Sequence, residues 1–129
     1  MSKQVAALIV EDEKGVSWAL HRLLRSMGYD AVIADNGQCA LELIAQRAFS
    51  FALVDVKLPD MDGTELETGI HKAHPDLPII LISGYIQEDD GVVQEWIKAG
   101  RICDFIGKPF EHADVRKAIE RTISLFRDR

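Results

Sequence analysis

The chain has 129 residues, an apolar fraction of 47% and a formal net charge of −6. That length and apolar content suit one folded domain, residues 1–129, and exclude a disordered chain. The acidic balance disfavours direct binding to nucleic acid or to an anionic membrane, both of which call for a positive field.

Along the chain, short apolar runs alternate with amphipathic stretches. Ala6-Ala7-Leu8-Ile9-Val10 predicts the first strand. Val16, Ala19, Leu20, Leu23, Leu24 and Met27 then recur at helical spacing, and Gly28 is a stop signal. Ala31-Val32-Ile33-Ala34 predicts a second strand, and residues 38–46, opened by the turn pair Asn36-Gly37, a second helix. Phe51-Ala52-Leu53-Val54 is the third strand and residues 64–73 the third helix, ended by His74-Pro75. Residues 77–82 predict the fourth strand, 91–99 the fourth helix and 103–106 the fifth strand. Val115, Ala118, Ile119, Thr122, Ile123 and Phe126 line one face of a last helix. Most strands are continuously apolar, as strands covered on both faces are. Five βα units with right-handed crossovers predict a doubly wound α/β domain built on a parallel sheet.

Cys39 and Cys103 have neither metal-ligand nor disulfide-framework spacing, and read as reduced thiols of a cytoplasmic protein. No signal peptide and no membrane-length apolar run is legible. His21, His71, His74 and His112 share no metal-binding spacing and are expected at the surface. Trp18 and Trp96 have helical spacings that suit core or edge packing.

Sites in such folds lie beyond the carboxyl ends of the strands. Glu11-Asp12-Glu13 ends the first strand, Asp55 the third, Ser83 the fourth and Lys108 the fifth. Converging carboxylates repel unless a cation joins them, and a hard oxygen-ligated ion such as Mg²⁺ fits a site with few carboxylates. Taken singly, each residue has a plainer reading: an acid that caps a helix, a serine in a turn, a solvated lysine. Four of them at strand ends point instead to a site for a transferring phosphoryl group. Lys108 would neutralise its oxygens while Asp55 supplies the nucleophile.

Four segments carry a resemblance: residues 8–13 (LIVEDE), 55–63 (DVKLPDMDG), 82–85 (ISGY) and 105–110 (FIGKPF). Together they resemble the receiver domains of two-component response regulators, from about residue 5 to about residue 126. The start of the chain, with Trp18 in the first helix, is most similar to receivers of the enhancer-binding transcription activators. The resemblance implies a flavodoxin-like sheet in the order 2-1-3-4-5 with five helices. It implies Asp55 as phosphoacceptor, with catalytic support from Lys108 and Ser83. Mg²⁺ would be held by Asp12 and Asp55, by Glu11 through water, and by the Lys57 carbonyl. Ser83 and Phe105 would form the switch, Lys57 and Tyr85 would tune the lifetime of the aspartyl phosphate, and Pro109 would follow a cis peptide.

The implied partners are a sensor histidine kinase or a histidine phosphotransfer protein. The face of the fourth helix, fifth strand and fifth helix, with the apolar stripe Val92, Val93, Trp96 and Ile97, would be a partner or homodimer surface. Such a domain is not a conventional enzyme, although it catalyses its own phosphorylation and dephosphorylation. Against the family pattern, about three additional residues fall between Ser83 and Lys108, two within 86–91 and one within 101–104. These predict that the fourth helix and its flanks are displaced or mobile. Phe105 stands where tyrosine is common, and Gly84 where alanine is usual, which predicts a looser loop.

Three other functions compete with this one. A haloacid-dehalogenase-type phosphatase needs a second Asp two residues after the nucleophile, where this chain has Lys57. A nucleotide binder of flavodoxin type would meet repulsion from Glu11-Asp12-Glu13. The remaining alternative is a phosphate-independent pseudo-receiver, a pure protein-interaction module.

Overall fold

In a computed structural model describing residues 6–84 and 91–127, with side chains at all of these but 92 and 125–127, the apolar runs form one sheet. Its strands are β1 (Ala6–Val10), β2 (Asp30–Ala34), β3 (Phe51–Asp55), β4 (Ile79–Ser83) and β5 (Asp104–Gly107). They lie in the order β2-β1-β3-β4-β5, and every pairing is parallel. The helices are α1 (Lys14–Ser26), α2 (Gly37–Gln46), α3 (Gly63–Ala73), α4 (Gly91–Lys98) and α5 (His112–Arg127). Among the described residues, no helix is long and apolar enough to cross a membrane.

The two-residue period of the strands sorts the core into two layers. Ala7, Ile9, Phe51, Leu53, Ile80, Ile82 and Ile106 pack with Leu20, Leu23 and Leu24 of α1 and Val115, Ala118 and Ile119 of α5. Leu8, Val10, Ala52, Val54, Ile79, Leu81 and Phe105 pack on the other face with Ala40, Ile44, Leu66, Ile70 and Val93 of α2, α3 and α4. Two buried faces explain why β3 and β4 are apolar without interruption up to their final polar residue.

Several expectations shift. Strand β4 begins at Ile79, not at residue 77: the Leu77 amide turns back to the His74 carbonyl, and Pro78 has no amide to give a ladder. Strand β5 starts one residue later than the apolar run, and Cys103 precedes it, its amide reaching the Ile79 carbonyl. Trp18 is not a packing residue: it is 59% exposed, with the Arg22 guanidinium 4.8 Å from its ring centre. The buried stripe of α1 runs instead through Ser17, Leu20, Leu23 and Leu24. Gly28 ends α1 as expected, at φ +92°, while the Tyr29 amide donates to the Leu24 carbonyl. Trp96 packs, half-buried, against the core. Cys39 and Cys103 are not joined in a disulfide, and both are partly buried.

Candidate functional site

Loop chemistry holds the strand ends in place. The Asn36 side chain caps α2 by accepting from the Cys39 amide at 2.7 Å, and Asp62 caps α3 by accepting from the Glu65 amide at 2.9 Å. Between them, Asp60 accepts from the Gly37 amide at 2.8 Å and from the Gln38 amide at 2.9 Å, tying the β3–α3 loop to the start of α2. These two amide donors, in that order, hold the Asp60 carboxyl below its ordinary range. Gly63 closes the same loop: a Cβ there would lie 2.7 Å from the Val56 Cα and 2.9 Å from the Asp55 carbonyl oxygen. Only a residue without a side chain lets α3 start this close to the end of β3.

At the carboxyl edge of the sheet, Glu11, Asp55 and Lys108 meet. Glu11 is 1% exposed and Asp55 4% exposed. The Lys108 ammonium stands 2.8 Å from Glu11 Oε1, 3.3 Å from Asp55 Oδ2 and 3.6 Å from Glu13 Oε1. Asp55 Oδ1 accepts from the Lys57 amide at 3.3 Å, and Glu11 Oε2 accepts from the Glu13 amide at 3.2 Å. The convergence follows from strand parity. Glu11 continues the face of Ala7 and Ile9, Asp55 that of Phe51 and Leu53, and Lys108 that of Ile106.

Asp12 is exposed beside them, and one carboxylate oxygen each from Glu11, Asp12 and Asp55 lies within 4.8 Å of the others. Burial raises the Glu11 carboxyl to about 7; the Lys108 ammonium opposes that rise, and the nearby Asp55 adds to it. Burial works to lower the Lys108 ammonium, but Glu11 and then Asp55 outweigh it and the net shift is upward. Carboxylates this close, with one lysine between them, are short of positive charge. An all-oxygen donor set of this kind fits a hard divalent cation.

An open cleft of about 570 Å³ gives access to this edge, lined by Asp12, Glu13, Asp55, Lys57 and Lys108 among others. Gly84 also lines it, and a Cβ there would sit at an ordinary 3.5 Å from the Lys108 Cβ, so an alanine fits. The Lys108–Pro109 peptide is cis.

Ser83 is buried at the end of β4, paired in register with Gly107, and its carbonyl accepts from the Lys108 amide at 2.9 Å. By parity it shares the face of Leu81 and Phe105, opposite to that of the acid cluster. Phe105 is already turned in, 6% exposed, in the layer under α3 and α4. Without a hydroxyl to hold in water, its ring gains most by burial. Tyr85 and most of the 86–91 stretch lie outside the described residues.

Two acids of the site region, and a third beyond it, carry less in the sequence than in the structure. Glu13 was legible only as part of an acidic run, Asp60 only as a loop acid. Glu67 left a clearer signal. It is an acid on the α3 stripe of Gly63, Leu66 and Ile70, and it is 0% exposed, paired with Arg101.

The response regulator receiver domain family model matches residues 7–120. The transcriptional regulatory protein ZraR of Klebsiella oxytoca is 30% identical over 122 residues, covering 95% of this chain and 27% of that protein. The response regulator protein FleR of Pseudomonas aeruginosa is 36% identical over 106 residues, 81% of this chain and 21% of that one. The chain thus spans about a quarter of the length of the curated relatives it matches. Among solved structures, a CheY-like receiver domain from Methanospirillum hungatei JF-1 superimposes with a TM-score of 0.88 at 28% identity, covering 98% of both chains. The non-phosphorylated HemR receiver domain from Leptospira biflexa gives 0.83 at 29% identity, covering 94% of this chain and 95% of that one. With the family pattern matched along nearly its whole length and the expected five-stranded sheet in place, this chain belongs to the receiver domains of two-component response regulators.

Proposed function

We propose that this receiver is switched by phosphorylation of Asp55, with the phosphoryl group drawn from a histidine kinase or a histidine phosphotransfer protein. The observation that carries this reading is the placement of the Lys108 ammonium between Glu11 and Asp55, beside a three-carboxylate cluster at the mouth of an open cleft. An Asp55 carboxylate oxygen forms the new P–O bond as the donor's P–N bond breaks. The bonding pair leaves with the imidazole, which takes up a proton.

Lys108 neutralises charge on the phosphoryl oxygens, and the Lys57 amide keeps Asp55 aimed into the cleft. A bound Mg²⁺, held by Asp12, Asp55, the Lys57 carbonyl and Glu11, would supply further charge neutralisation during transfer. Lys57 lines the same cleft, and with Tyr85, two residues after Ser83, would set how readily water reaches the aspartyl phosphate.

Ser83 links the two faces. It lies next to the acceptor's strand at the rim and shares the Phe105 layer, so a pull on its hydroxyl bears on Phe105 and on Val93 of α4. The α4–β5–α5 face would be the output surface, for a partner or a second copy. A phosphate-independent interaction module is the competing outcome of the test. Acetyl phosphate with Mg²⁺ should add one phosphoryl group to the wild type, seen by intact mass, and none to Asp55→Asn. Undiminished labelling of the variant removes Asp55 as the site, and no labelling of the wild type favours the interaction module.

A further inference from the structure

Glu67 is an acid in a place where α3 otherwise presents apolar side chains to the core, and it has no exposed surface. One oxygen is bound by the Arg101 guanidinium; the other, Oε1, has no hydrogen-bond partner among the described residues. The same Arg101 nitrogen lies 3.1 Å from the Thr68 hydroxyl. Arg101 belongs to the close of α4. Gly100 takes the left-handed conformation at φ +75°, and the Arg101 amide donates to the Trp96 carbonyl at 2.9 Å. The guanidinium carbon then sits 5.5 Å from the centre of the Trp96 ring. Ile102, the next residue, is buried. One side chain therefore holds α3 through Glu67 and Thr68, and α4 through Trp96.

We infer that Arg101 pins the C-terminal end of α4 to α3, so that activation moves α4 by pivoting about its last turn. A buried carboxylate stripped of its partner costs more than the small gap on which a two-state domain switches. Moving Arg101 away from Glu67 is therefore the expensive route. Tilting the first turn of α4, the end that follows β4 in the chain, leaves the pin intact. The inference rests on the phosphorylation reading above and specifies which part of the output face moves.

Amide and indole resonances of the whole chain, followed with Mg²⁺ and beryllofluoride, test it. The expected result is large shifts around Asp55 and at residues 91–93, and shifts at least threefold smaller at the Trp96 indole and at residues 100–102. In Glu67→Gln/Arg101→Gln, which removes both charges and leaves no buried ion unpaired, the large shifts should spread to Trp96 and residues 100–102. Arg101→Lys, which keeps a cation, should restore the wild-type pattern in part. A wild-type Trp96 indole that shifts as far as residues 91–93, or a double variant with the wild-type pattern, overturns the pin while leaving phosphorylation standing. A silent Asp55 region overturns the phosphorylation reading, and the pivot falls with it.

Discussion

The Lys108 ammonium lies nearer to Glu11, at 2.8 Å, than to the proposed phosphoacceptor Asp55, at 3.3 Å. The lysine is thus shared, and it competes with any other cation for the same carboxylates. Replacing it separates its two tasks. In Lys108→Met, Mg²⁺ should bind more tightly than in the wild type, because the site becomes more negative. Phosphorylation by acetyl phosphate should slow by roughly 10²-fold, as expected for loss of a charge-stabilising group. Metal-dependent melting shifts and labelling rates measure the two effects. A variant that binds Mg²⁺ more weakly would show that Lys108 does not compete for the acids.

Glu11 gives a pH dependence. Its folded value of about 7 lies above the ordinary 4.5, chiefly through burial. A raised carboxyl contributes stability that is fully present below the unfolded value and lost as pH rises through the folded one. In the absence of Mg²⁺, the wild type should therefore lose stability relative to Glu11→Gln between about pH 4.5 and 7, by up to a few kcal/mol. Above that window the difference should be constant. Urea titrations across the range decide it, and saturating Mg²⁺ should flatten the slope.

Gly63 should not tolerate a methyl group. The atoms a Cβ would meet, Val56 Cα and the Asp55 carbonyl, are backbone, so relief requires the loop after Asp55 to move. Gly63→Ala is expected to cost about 2 kcal/mol, as overpacking against rigid neighbours does. It should slow phosphorylation even where the protein remains folded. Gly84→Ala, with its 3.5 Å clearance from the Lys108 Cβ, is the control and should cost little.

Asp60 supplies the second pH effect, of opposite sign. Its carboxyl is lowered by the Gly37 and Gln38 amides, so its stabilising contribution is present above its unfolded value, about 3.9, and is lost as pH falls through the folded one. Asp60→Ala should lower the melting temperature at neutral pH by a few degrees and remove part of the acid-limb slope. Amide exchange should quicken at Gly37 and Gln38 first. Unchanged protection at these two amides would mean that α2 does not depend on this acid.

Much of this architecture is written in the sequence because every strand is covered on both faces, and uninterrupted apolar runs such as Phe51–Val54 have few other uses. The Lys108–Glu11–Asp55 meeting was legible because strand ends converge in a parallel sheet. Local spacing failed where the third dimension decides. Trp18 shares the helical pattern of α1 but falls outside its buried stripe. The resemblance marks Phe105 only as a switch residue, and its neighbours in the α3–α4 layer show that its ring is packed in the core. Glu67 and Arg101 are 34 residues apart, and neither residue by itself announces the other.

Glu11, Asp55 and Lys108 are spread over nearly the whole chain and meet only when β1, β3, β4 and β5 are in register. No short fragment carries a partial version of the site, and an unfolded chain has no preformed cluster to offer a cation. On the phosphorylation reading proposed above, response to Mg²⁺ or to a phosphoryl donor would double as an assay of completed folding. A chain cut between β4 and β5 keeps every acid of the cluster but loses the lysine that balances it. Such a fragment would carry the charge of the site without its function.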